Sequence, residues 1–408
     1  MIKYSYILLI FLTCWGCSKE KEASIPIAME ISALPHATSY DAGEEIKLQF
    51  KAVDSTGIRM LVEYSMGAIT LTPVMKGDTL TFSFPEFVTR KRGLCDWTLL
   101  VNNDQKKLQG SLKISPTQTA NVAMESYLGP RSITAGNRDF SMHVMAPTDE
   151  FDNPLPEGTS ISSIHQFGEN INSSPVVLKN LIGWQNIYSP LKSGRILVMA
   201  SCRESNSKEF TTVVYPANAT DFKISYERNH DYADGNQVIL FSSDIIKDSF
   251  DNIVSDGTLV SFLATNAKGV QLKAVGTTLN GIAKARFLHP YEPDDWEVKA
   301  YVTGTAESNI NRLSFRVAIR DFQTNFDKET NALEVFEIKS FMDQIVPDGI
   351  PIKMKVFDLN NALVMEDQTT SRLGQGKFKL TREYFEPGDY RIELDVAGLS
   401  KEMTISIK

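Results

Sequence analysis

A nine-residue stretch occurs twice in this chain: Phe151-Asp152-Asn153-Pro154-Leu155-Pro156-Glu157-Gly158-Thr159 returns 99 residues later as Phe250-Asp251-Asn252-Ile253-Val254-Ser255-Asp256-Gly257-Thr258. A near-verbatim repeat at that spacing is the mark of one domain copied in tandem, so the chain must fold as a string of similar units. Gly-marked starts punctuate it at Asp41-Ala42-Gly43, Thr134-Ala135-Gly136, Ala233-Asp234-Gly235 and Pro347-Asp348-Gly349. Four starts in 408 residues predict four modules. A module of about 100 residues buries roughly 60–65% of its unfolded surface, enough to stand without disulfides.

Strict alternation marks the strands. Ile46, Leu48 and Phe50 alternate with Lys47, Gln49 and Lys51, and Ile350, Ile352, Met354 and Val356 alternate with Pro351, Lys353 and Lys355. A period of two sends one set inward and the other to water. Each module closes on two such runs around a loop: Trp296 to Val302 with Leu313 to Ile319 across Gly304, and Tyr390 to Val396 with Met403 to Ile407 across Gly398. Asp96-Trp97-Thr98-Leu99 and Ser193-Gly194-Arg195-Ile196 open the same ending in the first two modules. These pairs predict adjacent antiparallel strands. Capped segments with a 3.6-residue period are missing from the sequence, so the expected class is all-β: a tandem array of four immunoglobulin-like β-sandwich domains. The spacing sets modules at residues 29–116, 117–217, 218–325 and 326–408, with Asp321 to Asn331 read as a polar linker before the last.

The third module carries a family resemblance. Ala233-Asp234-Gly235, Lys247-Asp248-Ser249-Phe250-Asp251-Asn252-Ile253-Val254, Val260-Ser261-Phe262, Asn280-Gly281-Ile282-Ala283 and Asp295-Trp296-Glu297-Val298-Lys299-Ala300 resemble the bacterial Ig-like repeat of invasins and intimins. Asp251 stands where that repeat usually has Gly, and Asp accepts left-handed turn geometry. The second module keeps the turn Asp149-Glu150-Phe151-Asp152-Asn153. The fourth, with Val356-Phe357-Asp358-Leu359-Asn360-Asn361 read as its copy of the turn, resembles macroglobulin-type sandwiches. The resemblance implies a surface-displayed repeat protein and specifies a fold rather than a ligand.

The N-terminus reads as a targeting segment. Lys3, the apolar run Ile7 to Leu12, and Cys14-Trp15-Gly16-Cys17 make a short secretory leader, with an apolar run too short to span a bilayer. Gly16-Cys17 resembles a lipoprotein lipobox. That resemblance implies a signal peptide at 1–16, lipid attachment (diacylglycerol and palmitate-type chains) at Cys17, and a tether at 17–28. The charged run Ser18-Lys19-Glu20-Lys21-Glu22 resembles an export tag for the outer face of the outer membrane. With Cys17 acylated, Cys95 and Cys202 remain, in different modules, and are expected as buried free thiols.

Chemistry is hard to find. A net charge of −8 with both signs mixed excludes a phosphate-binding surface and so nucleic acid. His36, His143, His165, His230 and His289 lack metal-ligand spacing, and no nucleophile elbow, P-loop or dinucleotide fingerprint is present. No catalytic residue, cofactor or metal is therefore expected. The oxygens of Asp149, Asp152 and Asn153, and of Asp248, Asp251 and Asn252, leave two readings: a backbone-bonded turn, or a Ca²⁺ loop. Trp97 and Trp296 sit at the closing-strand position of the core. Trp184 and Tyr188 fall outside the repeated positions, in a stretch with Gln185 and Asn186, so they are the candidate ligand contacts, against a core role for Trp184 beside Val176 to Leu178.

The expectation is a non-enzymatic outer-membrane surface lipoprotein, acting as adhesin or as spacer and scaffold in an envelope assembly. Its partners would be the membrane, through the lipid, and an envelope or host surface protein, or a glycan. The alternative is a glycan-binding subunit of a nutrient-uptake complex.

Overall fold

The computed structural model describes residues 30–102, 105–381 and 385–407. The leader and Cys17 lie outside the described residues.

Alternation governs each strand. Lys47–Lys51 shows Leu48 and Phe50 buried between exposed Lys47, Gln49 and Lys51, and Gly194–Cys202 buries Ile196, Val198, Ala200 and Cys202. Opposed sheets collect these inward faces into cores spanning Ile31 to Ile114, Val122 to Val214, Ala219 to Phe315 and Ile319 to Ile407. Phe50, Phe82, Phe241, Phe262 and Phe322 are fully buried, each side chain contributing roughly 1.5–3 kcal/mol of transfer energy. One short helix, Glu86–Thr89, is present among the described residues.

Three modules share one topology. A three- or four-stranded sheet faces a larger one, in which a short strand after the module entry runs parallel to the last strand: Ser39–Asp41 with Gln105–Ser115, Ser132–Thr134 with Phe210–Tyr215, and Tyr232–Ala233 with Asn311–Val317. A chain that starts in one sheet and crosses to pair in parallel with its own last strand is the mark of an Ig-like sandwich. The predicted hairpin closes are present, Asp294–Val302 against Asn311–Val317 and Gly388–Val396 against Leu399–Ile407.

The fourth module departs from the sequence reading at its entry. Residues expected to form a polar linker belong to strand Ile319–Asp327, which pairs with Ala332–Ser340 and runs through position 325. Phe322 is fully buried in the fourth core, and Phe326 packs against it. Gln323, Asn325 and Asp327 are the solvent face of that strand, and their polarity masked its inward set.

Pro347-Asp348-Gly349 is likewise not a module start. It occupies the place of Pro156-Glu157-Gly158 and Ser255-Asp256-Gly257: each glycine has positive φ and donates its N–H to the end of a later strand, Gly158 to Leu178, Gly257 to Thr278 and Gly349 to Ser371. The fourth module's counterpart of the Asp-Asn turn is Ser340 to Gln344, where Ser340 N–H donates to Gln344 and Asp343 N–H to Ser340. Asp358 to Asn361 instead forms the turn between Pro351–Phe357 and Leu363–Thr370.

Candidate functional site: the module joints and an aromatic sheet face

The repeated turn is a joint. Asp149 Oδ1 accepts from the backbone N–H groups of Phe151 and Asn153 at 2.9 Å each, while Oδ2 accepts from Asn153 Nδ2 at 3.0 Å and from Thr117 N–H, where the chain enters the module, at 3.0 Å. Held in this way, Asn153 faces the first module. Its Nδ2 donates to Arg90 O at 2.8 Å, its Oδ1 accepts from Arg92 N–H at 2.9 Å, and Lys91 Nζ donates to Phe151 O at 2.8 Å.

The second copy repeats each of these bonds. Asp248 gathers Phe250, Asn252 and Ala217, and Asn252 donates to Leu191 O at 2.8 Å and accepts from Ser193 N–H at 2.9 Å, with Lys192 Nζ on Phe250 O at 2.8 Å. Burial pushes the Asp248 carboxyl up, but the hydrogen bonds from Asn252, Ala217 and Phe250 outweigh it and hold the group below its ordinary value. The side-chain oxygens of Asp149 and Asn153 are thus occupied by N–H donors, the backbone-bonded arrangement of the two left open by sequence.

The Gly-marked starts belong to the same joints. Phe151 lies over Gly43, so that a Cβ there would come within 2.6 Å of the ring, and Phe250 lies over Gly136, at 3.1 Å. Both glycines have positive φ, +89° and +134°. Glycine is required here twice over, by backbone geometry and by the approach of the next module's ring.

The third joint is built differently. Ser340 and Gln344 replace the Asp-Asn pair, and Phe341, one position earlier than Phe151 and Phe250 in their turns, stacks on Tyr232 with centroids 3.8 Å apart and an interplanar angle of 11°. His230 meets the same ring edge-on at 5.0 Å, and Phe341 N–H donates to Ala318 O at 2.8 Å. Lys353 of the fourth module pairs with Glu292 of the third.

Trp184 and Tyr188 lie together on strand Gly183–Tyr188, at the edge of the three-stranded sheet of the second module, and both side chains are more than half exposed, at 56% and 57%. The core role for Trp184 does not hold. Gln185 and Ile187 point inward instead, opposite His143 and Ser141 on Phe140–Thr148. Strand register places Tyr127, Val144 and Trp184 in one row across the outer face, and Phe140 with Tyr188 in another, their rings 5.6 Å apart. Met142 sits between the rows beside Asn186.

The other three modules offer an internal comparison. The matching row of the third is Glu227, Leu240 and Arg286, next to Ser225, Ser242 and Lys284. In the fourth it is Asn325, Glu334 and Lys377, the last two ion-paired, and the first presents Lys47, Gln49 and Lys51. Those rows are mainly polar, with the aliphatic pair Val238 and Leu288 at the end of the third module's face. The fourth module has a single ring on that face, Phe336 opposite Gln323, whereas the second carries four, Tyr127, Phe140, Trp184 and Tyr188, with Glu125 the one charged residue on the face.

Beneath that face the second module's core is divided. One apolar cluster surrounds Met145 and Ile161, another Ile187 and Ile196. Between them lie His143, Ser163, His165, Gln185 and Ser126. His143 is fully buried with Nδ1 3.0 Å from Ser163 Oγ, and its Nε2, His165 Nδ1 and Gln185 Oε1 have no protein partner. Burial, with the neighbouring His165 adding to it, drives the His143 imidazole down to about 4, and burial also lowers His165. Among the described residues no group of three or more His, Cys, Asp or Glu is placed to hold a metal.

The chain is a tandem Ig-like repeat protein. No family model matches it, and no curated protein does. Among solved structures it is similar to FdeC, an Escherichia coli adhesin, at 12% identity and TM-score 0.48 over 71% of this chain and 96% of that one. It is also similar to invasin, a bacterial integrin-binding protein, at 12% identity and TM-score 0.45 over 93% and 79%. InvD of Yersinia pseudotuberculosis follows at 10% identity and TM-score 0.44 over 70% and 98%. At these identities the likeness is one of fold.

Proposed function

We propose that this chain is a non-enzymatic surface lipoprotein, anchored through Cys17, whose tandem modules act as a stiff projecting arm in adhesion or in an envelope scaffold. The duplicated Gly-Phe-Asn joint carries this reading. A flexible string of domains needs only a linker. Here each of two successive boundaries spends a buried Asp, a buried Asn, a lysine and an aromatic ring on fixing one module to the next, and hydrogen bonds repeated bond for bond hold an orientation as well as a connection. A nine-residue strand such as Gly194–Cys202 spans roughly 30 Å, so four modules joined end to end reach on the order of 100 Å. Reach of that order lifts a contact surface clear of the membrane.

Small-angle scattering of the purified chain tests the arm. The reading requires an extended particle with a narrow distance distribution, broadened when Asn153 and Asn252 are both replaced by Ala; a compact particle contradicts it. Mass spectrometry of the mature N-terminus tests the anchor. A first residue Cys17 bearing acyl chains supports it, and an unmodified Cys17 or cleavage elsewhere removes it.

A further inference from the structure

We propose that the outer face of the second module's three-stranded sheet is a docking platform for an uncharged polysaccharide, with Trp184 and Tyr188 as the stacking rings. The proposal deepens the reading of the chain as a surface arm by naming what the arm holds.

Position selects this face. Four copies of the same sheet occur in one chain, and in the other three the outward rows are mainly Lys, Arg, Glu, Gln, Asn, Ser or Thr, with the aliphatic Val238, Leu240 and Leu288 in the third and a single ring, Phe336, in the fourth. Fold stability therefore does not demand rings there. Leaving Trp184 and Tyr188 more than half exposed forgoes the transfer energy that burial would give them, which makes an exposed aromatic cluster informative where a single exposed apolar residue is not.

Charge selects the partner. The face carries no Lys or Arg, and Glu125 stands at its margin opposite Ala146. An acidic polymer would find no cation, and a basic one a single carboxylate. What remains is a surface of ring faces with Met142, Val144 and Asn186 among them. Asn186 lies half-buried between Trp184 and Tyr188 along the strand. A neutral sugar chain presents the complement: apolar C–H faces that lie flat on rings, edged by hydroxyls that donate and accept. Trp184 and Tyr188 are four residues apart on one face, roughly 13 Å along the strand, and Tyr127 lies about 10 Å from Trp184 across it. Those dimensions suit several consecutive sugar units on an open sheet.

Intrinsic fluorescence reads the site directly, because Trp97 and Trp296 are buried at 4% and 3% exposure while Trp184 is not. The mature chain from Cys17, free of the leader that carries Trp15, is titrated with soluble neutral polysaccharides (a β-glucan, an α-glucan and an arabinoxylan), with heparin as the charged control. A saturable shift with at least one neutral polymer, none with heparin, and binding about tenfold weaker or worse in Tyr188→Ala supports the proposal. Trp184→Ala removes the fluorophore, so its binding is read by affinity electrophoresis in gels containing the polymer, and loss of retardation is expected. Both residues are surface-exposed, and unchanged thermal melting confirms that the variants fold. Three results overturn the proposal: no neutral polymer binds, binding persists in both variants, or the wild type self-associates in sedimentation and Trp184→Ala restores the monomer. The last would make the face a contact between copies of this chain. Scattering of Trp184→Ala, monomeric in every case, still reports the arm by itself, so platform and arm fail independently.

Discussion

Asn153 of the second module donates its side-chain amide to the backbone carbonyl of Arg90 in the first, at 2.8 Å, from a carboxamide that Asp149 holds in place. Asn252 does the same to Leu191 one module later. Replacing Asn153 by Ala leaves the Arg90 carbonyl, the Arg92 N–H and one lobe of Asp149 short of partners, at about 1–3 kcal/mol for each group that stays dry. We expect Asn153→Ala to leave each module folded but to uncouple the first from the second. In calorimetry a shared transition should separate into two, and Asn153→Asp, which sets a carboxylate against Asp149 Oδ2 and the Arg90 carbonyl where an N–H donor stood, should uncouple the modules at least as far.

The aromatic joint between the third and fourth modules should respond to a different substitution. Phe341→Ala removes the stack on Tyr232 and the edge contact with His230, worth about 0.5–1.5 kcal/mol beyond its buried area. Scattering should show a wider range of particle lengths for this variant, and the melting of the fourth module itself should change little, because Phe341 is outside its core cluster. A large fall in that module's melting temperature would mean that Phe341 supports its own fold rather than the joint.

Acid should act on the second module before it acts on the joints. His143 is neutral in the folded protein down to about pH 4, whereas the unfolded chain takes up its proton near 6.5, so stability is lost as pH falls through that window. Among the described residues the only charged or titratable side chain facing it is His165, likewise lowered; Ser163, Gln185, Ser126 and the aliphatic side chains complete its surroundings, and no carboxylate among them offsets the cost. The loss approaches roughly 3 kcal/mol at the acid end. Asp248, held below the ordinary carboxylate value, keeps its part of the joint until the pH is lower still. Melting followed between pH 7 and 4.5 should show the second module shifting most, the fourth, which has no histidine, shifting least, and His143→Gln removing much of the difference.

Neither described thiol should react in the native protein. Cys95 is buried, and burial, with Asp96 adding to it, pushes its thiol up to about 11; Cys202 is raised by burial, with Arg203 pulling the other way. The thiolate is the nucleophile, so a thiol reagent at pH 8, read by peptide mapping, should report almost no reaction at Cys95 or Cys202 until denaturant opens the first and second modules. Rapid native labelling at either position would contradict the packing described here.

Much of the architecture could be read from residues alone because its signals are local. Leu48 and Phe50 alternate with charged neighbours whatever surrounds them, and Asp149 and Asn153 form their turn from side chains four positions apart. The same locality misleads where one device serves two places. Pro347-Asp348-Gly349 looks like a module start because an acidic residue before a positive-φ glycine suits any tight turn, and only strand pairing distinguishes it from Asp41-Ala42-Gly43. Strand Ile319–Asp327 was hidden because its solvent face is unusually polar, while Phe322 and Phe326 were too few to announce a period of two.

By itself, then, the sequence determined that this chain is a series of β modules, because period-two alternation and turn residues act over a few positions and need no partner. It could not say which face of Gly183–Tyr188 is inside, since Trp184 and Tyr188 alternate with Gln185 and Ile187 and both sets have a claim to burial. The opposing sheet decided that, by placing Gln185 against the polar layer around His143 and turning the rings outward. Nor could it reveal that Gly43 and Asn153, more than a hundred residues apart, serve one joint. That depends on two folded modules meeting, and contact between separately folded surfaces leaves no periodic trace in either.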